Sequence, residues 1–390
     1  MSTINVTNLK HGSSSTNSIV FASDGTCTAK VANISGNKNL VINGAMSVSQ
    51  RGTTSDSSTY QVCDRFLQFG AGWDNALTVS QHALTSSDTG PWAKGFRHSF
   101  HLQNGNQSSG AGAADYVQIM YKMEAQDVAS SGWDYTSSSS YITLSFWVQS
   151  SVAQTYYGFL KTTDGTAQSY PFSFALSANT WTKVTKTIPG HANLQFDNDA
   201  NEGLKLEWVP FYGTDYTASG VSLDEWGAFS SSAVMADNTS TWYTTDDATF
   251  ELTGVQLEVG DVATDFEFTR YGDELARCQR YYYRHSDGAV YNNTAIGIAS
   301  YQTSSTAMVY LEFPVTMRAR TSMTVWSGSN GYQIYVNDGS DVLTGSTFSL
   351  LRDGLNTAQI WITSADGDAK AAGLLANRSS SSLIEFSAEL

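Results

Sequence analysis

The sequence predicts an all-β protein: an antiparallel β-sandwich, followed by one short helix and a smaller C-terminal β domain. Three observations predict this fold. Apolar and polar residues alternate in several short segments, only 15% of the 390 residues are charged, and aromatic residues reach 12%. Low charge combined with many hydroxyl and aromatic side chains is typical of sandwiches and glycan-facing surfaces rather than of helical bundles.

The chain divides into four segments. Residues 1–37 are polar and rich in Ser and Thr, so they cannot bury a core alone and need a partner surface or copies of themselves. Residues 38–269 are predicted to form the sandwich, 270–284 the linker helix and 285–390 the smaller C-terminal β domain.

Two segments carry the strongest strand signals. In Tyr141–Gln149, apolar residues occupy one face, while Trp147 and Gln149 belong to the other face. Thr249–Val259 also alternates, but its apolar phase shifts after Gly254. A glycine at a phase change predicts a β-bulge, which bends a strand without losing its buried face.

A helical period replaces this alternation over residues 270–284. Tyr271, Leu275, Cys278 and Tyr282 fall on one helical face, with acidic residues in the first turn and arginines near the end. The pattern predicts a linker helix between the two β domains.

Charge and cysteine content restrict the partners and the compartment. A net charge of −15 disfavours nucleic acids and anionic membranes, so we expect no nucleic-acid binding and no membrane insertion. The first residues lack the apolar region of a signal peptide. Cys27, Cys63 and Cys278 are far apart, and we expect reduced thiols in a protein made in a cytoplasm.

Motifs of common enzyme classes are missing from the sequence. It contains no phosphate-binding loop, no dinucleotide fingerprint and no G-x-S-x-G elbow, so no catalytic residue is predicted and the protein is expected not to be an enzyme. His98 and His101 lie three positions apart, with His82 upstream. Because positions three apart in a strand point to opposite faces, surface histidines are favoured here over a zinc site.

One segment has the character of a calcium loop. Asp197, Asp199 and Asn201 place oxygen ligands at alternate positions, which predicts a structural calcium ion. The segment departs from the EF-hand pattern, because Gly203 comes one position late and Trp208 stands where Glu closes the loop. The alternative is a solvated acidic turn, and no other cofactor is expected.

Several aromatic residues lie outside the periodic strands. Trp73, Trp92, Trp133 and Tyr135 occur in segments rich in Gly, Ser and Asp. Such rings stack on the flat faces of sugars, so these four residues are the predicted glycan-binding residues. The alternative is that the aromatics close the open ends of a sandwich.

Two long motifs carry a family resemblance. Asn39–Gly52 (NLVINGAMSVSQRG), followed by Tyr60 and Asp64-Arg65-Phe66, resembles the opening of a module that is common in bacteriophage tail fibres and other virion proteins. Leu252–Tyr282 is similar to the close of the same module, through its QLEVG, FEFTRYG and ELARCQRYY runs. Ile384–Leu390 resembles the C-terminal strand of such phage proteins.

The resemblance implies a jelly-roll sandwich of the carbohydrate-binding-module type, usually in a homotrimeric fibre. It implies a virion protein, assembled in the host cytoplasm, that attaches to other virion proteins through residues 1–37 and recognises host surface polysaccharide. Two alternatives stay open: a structural capsid-decoration or tail-assembly protein that binds no sugar, and a polysaccharide depolymerase.

Several motif residues are interpreted as parts of the scaffold. Phe66 stands where the family usually has Trp, and Met46 where an aromatic residue is common; both are expected in the core. Arg65 is expected to pair with Asp64 or a nearby carboxylate. Arg277 or Arg280 is a predicted partner for the polar face of Gln256 and Glu258.

Overall fold

The computed structural model describes residues 8–9, 19–21, 27–29, 38–238, 240–287, 294–325, 330–336, 339–363, 365, 371–379 and 382–390. The N-terminal attachment segment predicted at 1–37 lies outside these residues except for three strands. They form a small antiparallel sheet of β1 (Asn8–Leu9), β2 (Ile19–Phe21) and β3 (Cys27–Ala29). No helix in the described ranges is long and apolar enough to cross a membrane.

Two six-stranded antiparallel sheets form a sandwich. In spatial order, sheet 1 contains β15 (Gly227–Ala228), β11 (Gln168–Leu176), β10 (Gln154–Thr162), β13 (Glu202–Tyr212), β8 (Tyr116–Glu124) and β5 (Phe66–Ala71). Sheet 2 contains β12 (Thr182–Pro189), β9 (Tyr141–Ser150), β17 (Thr249–Val259), β7 (His98–Gln103), β6 (Thr78–Ala83) and β4 (Thr54–Ser55). Successive strands repeatedly change sheet, and the fold is the predicted all-β jelly roll.

The core of the sandwich lies between the inner faces of the two sheets. The predicted strand over Tyr141–Gln149 is confirmed as β9, and its Ile142, Leu144 and Phe146 are fully buried. Trp208 on sheet 1 packs against Phe146 with ring centroids 5.7 Å apart. Period-two alternation therefore directs large apolar side chains inward from both sheets.

The bulge expected at Gly254 is present in β17. The register between β17 and β9 shifts between Thr253 and Gln256, and Gly254 has a φ of 63°. A Cβ atom at Gly254 would lie 2.7 Å from the ring of Phe96. Glycine is therefore required both by the left-handed backbone and by this close contact.

A second β unit follows in the C-terminal part of the chain. Sheet 3 contains β23 (Gly339–Val342), β22 (Tyr332–Val336), β26 (Ala372–Asn377), β19 (Ala295–Thr303), β20 (Thr306–Glu312), β25 (Thr357–Thr363) and β24 (Thr347–Asp353). Sheet 4 contains β18 (Tyr282–Asp287), β27 (Leu383–Ser387) and β21 (Ser322–Val325). Its core includes Ile384 and Phe386 of β27 together with Ile334, Leu311 and Ile360 of sheet 3.

The remaining elements are short. They are the 3₁₀-helix Trp92–Lys94, α1 (Ala125–Ala129), α2 (Tyr271–Gln279), and a parallel bridge of β14 (Thr217–Ala218) and β16 (Met235–Ala236). Helix α2 lies inside the helix predicted at 270–284, but that prediction is too long at its C-terminal end. Tyr282 already begins β18 and pairs with Ser387, so tertiary strand pairing overrides the helical period there.

The sequence motifs meet at a buried junction between the two β units. Arg65 is fully buried and forms an ion pair with Glu389, two residues beyond β27, while its Nη2 donates to the carbonyl of Lys122 at 2.7 Å. The guanidinium also lies 3.5 Å above the ring of Tyr281. Removing one partner of such a buried pair typically costs about 3–5 kcal/mol. Arg65 was expected to pair with Asp64 or with a nearby carboxylate; Asp64 instead accepts from the backbone N–H of Gln50, and the carboxylate that pairs with Arg65 is that of Glu389.

The partners predicted for Gln256 and Glu258 are wrong. Arg280 forms a two-point contact with Glu124, with both N···O distances at 2.8 Å. The amide of Gln256 donates to Glu258 itself. Glu258 also accepts from the backbone N–H and the hydroxyl of Thr264, while Arg277 pairs with Glu274, so neither arginine is the partner of the two polar residues.

Candidate functional site

Part of the outer face of sheet 1 is covered by the protein itself. Residues 213–236 fold back over it and bring Val234 and Met235 against Phe159, Val209 and Tyr212 in a small apolar cluster. Met235 is 1% exposed. A ligand could reach this part of sheet 1 only by displacing the covering segment.

The outer face of sheet 2 carries a row of polar side chains. The register places Ser80 of β6 opposite His101 of β7, His101 opposite Glu251 of β17, and Glu251 opposite Gln149 of β9. Neighbouring strands are about 4.8 Å apart, so the four residues form a row roughly 14 Å long. We call this set the polar row.

Glu251 organises the polar row. The carboxylate accepts hydrogen bonds from His82 Nδ1 at 3.0 Å, Ser99 Oγ at 2.6 Å and Gln149 Nε2 at 3.0 Å. Glu251 and Ser99 are buried, whereas 47% of the His82 side chain is exposed. The buried carboxylate therefore fixes side chains that remain accessible from solvent.

The two histidines of this face lie side by side. The rings of His82 and His101 are 5.3 Å apart in an edge-to-face arrangement. Partial burial lowers the pKa of His101, and a nearby negative charge on Glu251 opposes this effect in part. A neutral imidazole both donates and accepts a hydrogen bond, as hydroxyl ligands require.

Trp147 borders one end of the polar row. Trp147 lies two residues before Gln149 on β9 and lines a cavity of about 360 Å³ together with Lys94, Lys183 and Phe268. The segment after β6 closes over this end, because a Cβ at Gly90 would lie 2.7 Å from the Trp147 ring. The face thus combines hydrogen-bonding groups with a large aromatic ring.

The predicted glycan-binding residues occupy different places. Trp92 is half-buried in the 3₁₀-helix, with the guanidinium of Arg97 3.8 Å above its ring. Trp133 is 3% exposed, and the rings of Trp133 and Tyr135 pack against Phe196 of the core in tilted and edge-to-face arrangements. Trp133 therefore has no ring face available to a ligand.

Trp73 is a further member of the predicted set. It packs, partly buried, against the core of the sandwich and against Gly70.

The predicted calcium residues form a hydrogen-bonded turn. The carboxylate of Asp199 accepts from the backbone N–H of Asn201 at 2.9 Å, and that of Asp197 accepts from Gln195 at 2.8 Å. Within the described ranges, no group of three or more His, Cys, Asp or Glu side chains is arranged to hold a metal ion. Calcium binding at Asp197, Asp199 and Asn201 stays a prediction.

The sequence analysis missed most of the polar row. It placed Trp147 and Gln149 on the polar face of their strand, and it rejected a zinc site because His98 and His101 would point apart in a strand. Strand β7 does contain both histidines, and His101 alone joins the row. The one signal available was that the non-core faces of β9, β7 and β17 carry Trp and Gln, His, and Glu rather than Ser and Thr alone.

Comparisons with known proteins found similarity only to solved structures. No protein-family model matches the chain, and no curated protein matches it significantly. The enzymatically active domain of tailspike protein 4 from bacteriophage CBA120 aligns with 57% of this chain at 11% identity and a TM-score of 0.30. The aligned part spans 22% of that tailspike chain.

Carbohydrate-binding modules align over similar lengths. The N-terminal cellulose-binding domain of Cellulomonas fimi β-1,4-glucanase C aligns with 56% of this chain and 99% of its own, at 12% identity and a TM-score of 0.27. A family 11 module from Clostridium thermocellum, in complex with a β-1,3-1,4-mixed-linked tetrasaccharide, aligns with 51% and 91%, at 9% identity and a TM-score of 0.25. Likeness at this level assigns no function to the chain.

Proposed function

We propose that this protein is a bacteriophage virion component, a tail-fibre or appendage subunit that binds host surface glycans without cleaving them. The polar row on sheet 2 is the proposed binding face. The observation that carries the proposal is the register of Ser80, His101, Glu251 and Gln149, which aligns hydroxyl, imidazole, carboxylate and amide groups on one exposed face. The phage assignment is supported by the sequence motifs that the junction around Arg65 brings together.

The chemistry of the face suits a sugar. Hydroxyl, amide and neutral imidazole groups donate and accept hydrogen bonds, and Trp147 offers an apolar ring beside them. Each hydrogen bond contributes only about 0.5–1.5 kcal/mol, so a single site binds weakly. Copies in a homotrimer, attached to other virion proteins through residues 1–37, would raise the avidity by 10²-fold or more.

The absence of catalysis is part of the proposal and is supported by the groups around Glu251. Ser99 is fully buried and donates to this carboxylate, so its hydroxyl is not positioned as a nucleophile. His82 also binds the carboxylate rather than Ser99. The three residues are therefore connected through Glu251 and do not form a nucleophile–base pair.

Binding to intact host cells tests the proposed function. Purified full-length protein is applied to cells with and without periodate oxidation of their surface sugars, and released reducing ends are measured in the same samples. We expect binding that periodate abolishes, with no release of reducing ends. Binding that survives periodate would overturn glycan recognition, and released reducing ends would establish a depolymerase.

A structural protein without glycan binding is the second candidate function. It is favoured by one observation: Glu251 already accepts three hydrogen bonds from the protein, as a face without a ligand would also require. Such a capsid-decoration or tail-assembly protein would bind cells in neither condition.

A further inference from the structure

The cavity at the Trp147 end of the polar row contains two lysines. Strand β12 supplies Lys183, β9 supplies Trp147, and the 3₁₀-helix Trp92–Lys94 supplies Lys94. The cavity volume of about 360 Å³ falls within the range of roughly 300–1,000 Å³ that is common for small-molecule sites. The cavity is thus of a size that takes an organic ligand rather than single water molecules.

The strand register places Lys183 beside Trp147. The two residues are paired directly in the ladder of β12 and β9. Directly opposed residues of an antiparallel pair have Cβ atoms about 4.5–5.5 Å apart and point to the same face of the sheet. Trp147 precedes Gln149 by two positions, which is about 7 Å along the strand. A glycan on the polar row would therefore reach this cavity by extending past Gln149.

Lys94 extends from the opposite side of the cavity. Gly95 follows it with a φ of 100°, and a Cβ atom at Gly95 would lie 3.2 Å from the ring of Phe268. This left-handed residue ends the 3₁₀-helix directly against the ring. Phe268 in turn packs on Phe96, with ring centroids 5.0 Å apart. An aromatic wall thus supports the backbone that carries Lys94.

The two lysines of the cavity differ from the other lysines of the sandwich. Residues 38–287 contain seven lysines. Five of them have an ion pair, a hydrogen bond or an aromatic ring at the ammonium group: Lys38, Lys122, Lys161, Lys186 and Lys205. Lys94 and Lys183 are exposed and have no such partner among the residues that the structure describes. The two ammonium groups without a partner therefore line the same cavity.

The cavity is locally positive although the chain is acidic. Asp265 is its one acidic residue, so the two lysines leave a formal charge of +1. The net charge of −15 belongs to the whole chain, whereas charges are screened beyond about 8 Å at physiological salt. A bound anion would therefore interact chiefly with Lys94 and Lys183 rather than with remote carboxylates.

The number of lysines limits the charge density of the ligand. Double-stranded DNA carries one charge per ~1.7 Å and is bound through many phosphate contacts. Two lysines in one cavity suit a single anionic substituent and leave the rest of a glycan to neutral groups such as those of the polar row. The ligand that fits is thus a polysaccharide with isolated charged sugars, not a dense polyanion.

A second cavity on the sandwich shows that cations alone do not make such a site. It has a volume of about 510 Å³ and is lined by Lys38, Arg277 and Arg280. Lys38 donates to a backbone carbonyl at 2.7 Å, and Arg277 lies 3.6 Å from Glu274. Arg280 binds Glu124 at 2.8 Å. The cations of this larger cavity are already occupied by groups of the protein.

We propose that the cavity of Lys94, Trp147 and Lys183 binds a carboxylate or phosphate substituent of the host glycan, so that the ligand of the polar row is an acidic polysaccharide. This inference rests on the function proposed above and names its substrate class. The two ammonium groups bind the anion, while the rings of Trp147 and Phe268 contact the apolar face of the sugar; Phe268 is 51% exposed.

Chemical removal of the anion tests the ligand. Surface polysaccharide extracted from host cells is used untreated, carboxyl-reduced with carbodiimide and borohydride, or dephosphorylated with cold hydrofluoric acid. Binding to the full chain is measured by biolayer interferometry. We expect one treatment to weaken binding by roughly tenfold, and that treatment identifies the anion. Equal binding of all three forms would overturn an acidic ligand and leave glycan binding intact. No binding of the untreated form would overturn the proposed function itself.

A matched pair of double variants tests the two lysines. Lys94→Gln with Lys183→Gln removes the charges of the cavity, and Lys161→Gln with Lys186→Gln removes two charges elsewhere on the sandwich. Both variants have the same net charge, and circular dichroism shows whether both keep the fold. We expect the first to bind untreated polysaccharide roughly tenfold more weakly than wild type and the second to bind as wild type does. An equal loss in both variants, or no loss in the first, would overturn the site.

Discussion

The outer faces of the two sandwich sheets have the same number of strands but opposite relations to solvent. Residues 213–236 cover sheet 1 with an apolar cluster around Met235, whereas the polar row of sheet 2 stays accessible. Both faces contain a buried carboxylate: Glu207 on sheet 1 and Glu251 on sheet 2. Glu251 accepts three hydrogen bonds, while burial raises the pKa of Glu207 to about 7. One face is thus closed by apolar residues of the chain itself, whereas the other keeps hydrogen-bonding groups accessible to solvent.

The largest effect on the free energy of unfolding is expected from disrupting the contact between residues 213–236 and the outer face of sheet 1. Met235→Asp places a carboxylate in the apolar cluster against Val209 and Tyr212, and we expect it to lower the free energy of unfolding by about 3 kcal/mol or more. Urea denaturation measures the change. A loss below 1 kcal/mol would mean that the covering segment is not part of the folded sandwich.

The second-largest effect on stability is expected from removing the carboxylate of Glu251, which accepts three hydrogen bonds. Glu251→Ala leaves the buried hydroxyl of Ser99 without its acceptor, which should cost about 1–3 kcal/mol. Glu251→Gln retains an acceptor oxygen and should cost less. Equal unfolding midpoints for wild type and Glu251→Ala would contradict the central role of this carboxylate.

The contributions of the two faces to the free energy of unfolding should change with pH in opposite directions. Since the folded pKa of Glu207 is raised from 4.5 to about 7 by desolvation, the folded state keeps a proton that the unfolded state releases. Stability should therefore fall by on the order of 1–3 kcal/mol as pH rises from 4.5 to 7, and Glu207→Gln should remove this slope.

On sheet 2 the sign is reversed. Desolvation lowers the pKa of His101 below 6.5, so the unfolded state binds a proton first as the solution is acidified. The contribution of His101 is fully present above pH 6.5 and is lost as pH falls below it. His101→Gln should reduce the loss of melting temperature on acidification, measured in thermal melts from pH 5 to 8. An unchanged dependence of the melting temperature on pH would contradict a contribution from His101.

The smallest effect on stability is expected at Gln149, at the edge of the polar row. Gln149→Ala removes a hydrogen bond to Glu251 on an exposed face, and the change in unfolding free energy should stay below about 1 kcal/mol. Calorimetry on this variant shows whether the row can be altered for binding studies without loss of fold. A loss comparable to that of Met235→Asp would assign the row a structural role.

Local patterns predicted much of the fold. The alternation over 141–149, the bulge at Gly254, and the buried positions of Met46 and Phe66 all depend on neighbouring residues and on side-chain size, and all are confirmed. The helix end was wrong because Tyr282 pairs with a strand more than a hundred residues later.

Long-range contacts could not be predicted in the same way. Arg65 pairs with Glu389 at the far end of the chain. The polar row likewise depends on the register of four strands, and a shift by one residue in any of them would turn its side chain into the core. Trp133 looked accessible in sequence because its neighbours are polar, yet its ring is buried.

The most direct test of the central claim compares binding by the two outer faces. Adsorption to host cells is measured for the wild type, for a variant carrying His82→Ala and Gln149→Ala, and for Phe69→Ala, which removes an aromatic ring that is 39% exposed on sheet 1. Loss of two hydrogen bonds should weaken binding at each site by roughly tenfold or more, and avidity should enlarge the difference. The account predicts that the double variant loses adsorption while Phe69→Ala retains it; the reverse result would contradict a glycan site on sheet 2.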